Sequence, residues 1–218
     1  MKSRHAELCC QSCYSFLDAA SHPEELVMRA AEQHYAALAI TDECSVAGIV
    51  KAHIAIQALP EEPRPRLLIG SLFRLEEGDV LILLVSDGQG YANLCRLITA
   101  ARGRAKKGKY RLQRADLPSH AGGLLALWQV DPTGTGSPQW LQKSFAGRLW
   151  LACPQWQDGQ DRVRRERART LSESLGLPIV AIGGAKMHVP ERKPLLDVMT
   201  ALSLNTTVQE AGELLLTN

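Results

Sequence analysis

No apolar run in this 218-residue chain approaches the ~20 residues that a membrane-spanning helix requires. The opening Met1-Lys2-Ser3-Arg4-His5 leads straight into a strand-like segment without the apolar core of a secretory signal. Neither a Gly-x-Gly-x-x-Gly nor a P-loop pattern is present, which removes the usual sequence support for a nucleotide-binding sheet. No internal repeat is visible. Charge of one sign is also missing: 25 Lys and Arg against 23 Asp and Glu leave +2, so composition by itself does not argue for nucleic-acid binding. Six cysteines (9, 10, 13, 44, 95 and 153) are irregularly spaced. Cys10 and Cys13 form a Cys-x-x-Cys, but no second Cys/His pair follows at zinc-site spacing, and buried structural thiols are the simpler reading. With no secretory signal, reduced thiols in a cytoplasmic protein are expected.

What is present is a globular composition, 45% apolar and 22% charged, long enough for one domain with a real core. Short apolar runs recur at 6–9, 38–41, 66–69, 80–85, 124–128, 148–152 and 179–182, often bounded by Gly or Pro. They read as strands covered on both faces. Helical patterns fall between them, at 45–58, 90–103, 160–175, 191–202 and 208–214. The clearest helix start is Ser21-His22-Pro23-Glu24, a Ser-x-x-Glu capping box with Pro just inside; Thr207-x-x-Glu210 is a second box. Strands alternating with helices imply a mostly parallel sheet, and seven units in one domain's length favour a closed or distorted barrel. Residues 59–65 read as a stiff connector and 131–138 as a flexible surface loop, and neither breaks the alternation.

Chemistry in α/β folds gathers where strands end. Two such places stand out: His5-Ala6-Glu7-Leu8-Cys9-Cys10-Gln11-Ser12, and Ala37-Leu38-Ala39-Ile40-Thr41-Asp42-Glu43-Cys44. The second stretch, with Ala20-Ser21-His22-Pro23-Glu24-Glu25-Leu26, Ile69-Gly70-Ser71, Leu94-Cys95-Arg96-Leu97-Ile98-Thr99, Lys107-Gly108-Lys109-Tyr110-Arg111-Leu112 and Arg192-Lys193-Pro194-Leu195-Leu196-Asp197, resembles the PHP (polymerase and histidinol phosphatase) domain of error-prone C-family DNA polymerases. The order and spacing of these pieces run over almost the whole chain.

That resemblance implies a PHP-type distorted (β/α)7 barrel, with residues 1–218 forming a single PHP domain. It also implies that the chain is an amino-terminal fragment lacking the polymerase palm, fingers and thumb. The family's divalent-metal ligands fall on Cys9 and Gln11 (two histidines in the family), Asp18, Asp42 and Glu43, Leu72 (a glutamate), Val80 (a histidine), and Gly184, Lys186 and His188 (Asp-x-His-x-His). Leu72 and Gly184 supply no ligand, and Lys186 puts a cation where a cation would bind. The expectation is a degenerate, vestigial metal site without cofactor, and no catalytic residue in this stretch. The parent's template-directed phosphoryl transfer would use Mg through residues that lie elsewhere. A free-standing PHP-type metal-dependent phosphoesterase is the alternative, and it needs the intact ligand set. Expected partners are the rest of a polymerase chain and, weakly, DNA.

Asp42 and Glu43 read either as vestigial ligands or as acceptors for loop amides. His188 by itself is more often an ordinary histidine than a ligand. Between Arg96 and Arg114 lie eight Lys or Arg and no acid. Within that run Arg102, Arg104, Lys106, Lys107 and Lys109 are candidates for contact with DNA phosphates or an acidic partner, against the equal alternative of a solvated helix end. The run Arg162, Arg164, Arg165, Arg167, Arg169 reads as a solvated helix face.

Overall fold

The structure is a computed structural model that describes residues 5–60, 64–134 and 136–215. Parts of both expected linkers, and the last three residues, lie outside that set. In chain order the elements are β1 (Ala6–Cys10), α1 (Pro23–Glu32), β2 (Ala37–Ile40), α2 (Ile49–Gln57), β3 (Arg66–Arg74), β4 (Val80–Val85), α3 (Gly88–Gly103), β5 (Leu124–Gln129), β6 (Leu149–Pro154), α4 (Asp161–Leu175), β7 (Ile179–Ile182), α5 (Lys193–Leu204) and α6 (Val208–Ala211). All seven expected strands are present, and the class is α/β.

The chain divides into two compact units, one of residues 1–68 with 183–218, the other of residues 69–182. In the first, β1 pairs parallel with β2, Ala6 opposite Ala37 and Cys10 opposite Ile40, with an irregularity between Glu7 and Cys10. Beyond β2 the chain enters β3, where the Arg66 amide donates to the Ala36 carbonyl at 2.9 Å. Every residue of β2 is buried, as an apolar run without alternation requires.

The second unit runs in the order β3-β4-β5-β6-β7. β5–β6 and β6–β7 are parallel, while β3–β4 and β4–β5 are antiparallel. The first antiparallel pair has a simple cause. Only Leu75–Asp79 separates β3 from β4, closed by Leu75 N–H to Asp79 O (2.8 Å) and Gly78 N–H to Leu75 O (2.9 Å). A parallel return needs a crossover of a dozen residues or more. Leu81, Ile82 and Leu83 are wholly buried, so β4 forms the centre of this unit's core.

Two local expectations are corrected. Helix α1 is capped one residue later than the Ser21 box predicts: His22 is the N-cap, its amide donating 2.8 Å to the Glu25 carboxylate. Pro23 still opens the helix, and Ser21 is released for another role. On α4 the arginines do not form a uniformly solvated face. Arg164 is buried, paired with Asp158 and Asp161 and stacked over Trp156 at 4.6 Å. At Thr207 the expected box is intact, with the hydroxyl accepting from Glu210 N–H at 3.3 Å.

Candidate functional site

The first unit collects most of the sequence-nominated positions around the ends of β1 and β2 and the loop 183–188. The Gln11 amide donates to Ala185 O at 2.9 Å, and Cys10 forms an isolated parallel bridge with Ala185. Ala20 N–H donates to Lys186 O at 2.8 Å. These backbone bonds fix the late loop against the segment that follows β1.

Side chains complete the cluster. Lys186 Nζ lies 2.5 Å from Asp18 Oδ1, and Gln11 Nε2 donates to Asp18 Oδ2 at 3.1 Å. Gln11 Nε2 also lies 3.3 Å from Ser15 Oγ. That hydroxyl donates to Asp42 Oδ1 at 2.9 Å and accepts the Glu43 amide at 3.0 Å. The Asp42 carboxylate further accepts Ser12 N–H at 2.7 Å and Ser12 Oγ–H at 2.8 Å. Burial pushes the Asp42 carboxyl above its ordinary value, against the downward pull of these Ser12 and Ser15 donors. Asp42, Ser12 and Ser15 are all buried.

Cys9 is buried, with Thr41 Oγ1 at 3.8 Å from its sulfur. Burial raises the thiol of neighbouring Cys10 well above the ordinary range, so it stays protonated. His188 Nδ1 and Ser21 Oγ share a hydrogen bond at 2.7 Å, and the His188 amide donates to the same oxygen at 2.9 Å. This is the role that Ser21 gains by not capping α1. Gly184 adopts φ +70°, the left-handed region. Leu72 belongs to the second unit, where it is buried in β3 opposite Ile82, and Val80 opens β4 opposite Arg74. Among the described residues, no group of three or more His, Cys, Asp or Glu could hold a metal ion.

One central residue went unread in the sequence. Glu7 is a buried acid inside β1, where the register with β2 is irregular. Its Oε1 accepts Cys9 N–H at 2.8 Å, and both oxygens accept Gly183 N–H at 3.1 Å. The carboxylate thus satisfies backbone donors that the interrupted ladder leaves over. Burial raises the Glu7 carboxyl, partly offset by those N–H groups. A Cβ on residue 183 would sit 2.2 Å from Glu7 Oε2, so this close approach requires glycine. The available signal was an acid flanked by Ala6 and Leu8 within an apolar strand.

The basic run lies in the second unit and divides sharply. Arg104 pairs with Asp116, Arg111 with Glu76 and Arg114 with Asp79, while Arg102 stacks on Tyr110. Lys106, Lys107 and Lys109 are exposed.

Comparison with known proteins gives this geometry its family. Over 216 residues the chain is 45% identical to the error-prone DNA polymerase of Pseudomonas aeruginosa, and over 221 residues 47% identical to that of Pseudomonas fluorescens. Each match covers 99% of this chain and 21% of the relative, so the chain spans about a fifth of the length of these curated relatives. Among solved structures, a protein from Bifidobacterium adolescentis named as a candidate metal-dependent phosphoesterase superposes with a TM-score of 0.63 at 15% identity, over 86% of this chain and 90% of that one. An amidohydrolase from Chromobacterium violaceum gives 0.54 at 15% identity, over 85% and 88%. These likenesses speak for the fold, the PHP-type α/β barrel expected from the sequence. The family profile described as "PHP domain" matches residues 7–168, most of the chain, and by that match the chain belongs to the PHP domain family.

Proposed function

We propose that this chain is the amino-terminal PHP domain of an error-prone, translesion-type C-family DNA polymerase, and that its own contribution is structural rather than catalytic. The observation that carries the reading is the 45% identity to error-prone DNA polymerases along essentially the whole chain. In this reading the parent performs damage-associated DNA synthesis in the cytoplasm, using Mg bound by residues outside these 218. The rest of the polymerase chain is the principal partner.

The donor set here does not fit a divalent-metal cluster. Leu72 and Gly184 offer no donor, and Lys186 supplies an ammonium beside Asp18. Both Asp42 oxygens are already hydrogen-bonded by Ser12 and Ser15. In our reading Lys186 takes over the charge-balancing role that a cation has in metal-bearing relatives, and the degenerate pocket supports the polymerase body. A free-standing phosphoesterase would need carboxylates and imidazoles that these positions no longer carry.

Two measurements test the proposal. Elemental analysis of protein purified without chelator should find no stoichiometric zinc, manganese or magnesium; a reproducible two or three ions per chain would sink the degenerate-site reading. Primer extension across an abasic template should be supported by the product of the complete reading frame containing this segment, and not by the 218-residue chain. Metal-dependent hydrolysis of a phosphodiester by the 218-residue chain itself would instead favour the phosphoesterase.

A further inference from the structure

The eight basic residues between Arg96 and Arg114 fall into two physically different sets. The arginines and Tyr110 build a stem. Arg104 Nη1 meets Asp116 Oδ2 at 2.6 Å, Arg111 Nε meets Glu76 Oε1 at 2.5 Å, and Arg114 Nε meets Asp79 Oδ2 at 2.6 Å. Asp116 is held below the usual carboxylate range: burial opposes ionisation, and the Arg104 hydrogen bond with the Gln113 amide outweighs it. Arg96 donates to Asn93 Oδ1 at 3.1 Å. The Tyr110 hydroxyl accepts Arg74 N–H at 2.7 Å, and its ring lies edge-on to Phe73 and under the Arg102 guanidinium. Arg111 N–H returns to Ala101 O at 3.0 Å, and Leu112 is buried. The stem is therefore held at the carboxyl end of α3 by three ion pairs and by the engaged Tyr110.

Above the stem sits a turn. Lys109 N–H donates to Lys106 O at 3.0 Å, and Gly108 takes φ +87°, which L residues rarely adopt. Lys106, Lys107 and Lys109 are exposed, and among the described residues none of them forms an ion pair or side-chain hydrogen bond. Closure of the turn holds the first and last of these lysines within ~7 Å at their Cα atoms. Helix-end electrostatics accounts for basic residues in the last turn of α3, such as Arg102, but not for three lysines beyond it.

We propose that the Lys106–Lys109 turn is a preorganised contact for the phosphate backbone of DNA, carried by three uncompensated ammonium groups on an ion-paired stem. The chemistry is that of a sequence-indifferent contact. The lysines act as point charges, the arginines that could read a base edge bidentately are consumed in the stem, and Tyr110 has its hydroxyl and ring engaged and cannot stack on a base. The choice of DNA as the polyanion rests on the polymerase reading above; the existence of the unpaired turn does not.

The test is fluorescence anisotropy of the 218-residue chain with labelled 20-mer duplex DNA between 50 and 200 mM salt. Three neutralised phosphates steepen the salt dependence by about 2.7 log units per log unit of salt, so wild-type affinity should fall ~40-fold more across this range than that of the Lys106→Gln/Lys107→Gln/Lys109→Gln variant. Arg104→Gln is the control: it should lower the melting temperature while keeping the wild-type slope. Loss of binding with a flattened slope in the triple variant alone supports the proposal. An unchanged slope in the triple variant, equal flattening by Arg104→Gln, or no wild-type binding overturns it. Tighter binding to poly-glutamate than to DNA of equal charge also overturns it and assigns the turn to an acidic protein. Failure of primer extension by the complete reading frame would remove the polymerase reading without touching this measurement.

Discussion

Replacing Lys186 by Met keeps an unbranched apolar stem and removes the terminal ammonium, which takes away the ion pair and hydrogen bond with Asp18. The magnitude follows from exposure: the Lys186 side chain is 19% exposed and that of Asp18 37%. Fully exposed pairs contribute about 0–1 kcal/mol, whereas orphaning a partner in a fully buried pair costs about 3–5 kcal/mol. With Asp18 more than a third exposed, solvent screens much of the interaction. Gln11 Nε2 also remains bound to its second oxygen. The expected cost is therefore about 1–2 kcal/mol. For a chain of this size that lowers the melting temperature by about 3–6 °C. The assay is urea denaturation of wild type, Lys186→Met, Asp18→Asn and the double variant, read as a double-mutant cycle. The expected coupling energy is about 1 kcal/mol; a value within about 0.3 kcal/mol of zero would refute the idea that Lys186 neutralises this site. Repeating the Lys186→Met measurement with millimolar Mg or Mn should restore nothing. Recovery of the lost stability by either ion would mean that a cation site survives once the ammonium is gone.

The buried Glu7 latch gives two further tests. Gly183→Ala places a methyl 2.2 Å from Glu7 Oε2 and should cost about 2 kcal/mol or more by displacing a hydrogen-bonded buried carboxylate. In a Glu7→Ala background the same change should cost distinctly less, and equal costs in thermal melts would show that the contact is unimportant. Glu7 also makes a pH prediction. Its folded carboxyl is raised by burial, so the folded state holds the proton more tightly than the unfolded chain does. Its contribution is fully present below the unfolded carboxyl's range, about pH 4, and is lost as pH rises through the folded value. Glu7→Gln lacks this titration, so its stability relative to wild type should improve from pH 4.5 to pH 7.5. A difference that stays constant, or moves the other way, would contradict the assignment.

The particular residues show why some of this was legible in the sequence and some was not. Strand positions were readable because runs such as Val80–Val85 are apolar at every residue, a pattern that survives without knowledge of neighbours. Strand direction was less readable. The five-residue link 75–79 does forbid a parallel return, but β4 and β5 are antiparallel despite the long α3 segment between them. Chain length permits a crossover there without requiring one. The nominated site residues were readable one at a time, since Leu72, Gly184 and Lys186 declare by side-chain type alone that they donate nothing to a metal. Their substitutes were not. Nothing near Ser21 in sequence announces that its hydroxyl will leave the helix cap for His188, 167 residues away. Lys186 likewise meets an acid 168 residues earlier. The basic run makes the same point: eight like charges between 96 and 114 look equivalent until Glu76, Asp79 and Asp116 fold back on three of the arginines. Only then do the exposed lysines of the turn stand apart from the arginines engaged within the chain. Sequence pattern encodes burial because burial is a property of each residue's own chemistry. Charge compensation is a property of pairs, and the folded chain decides those pairs.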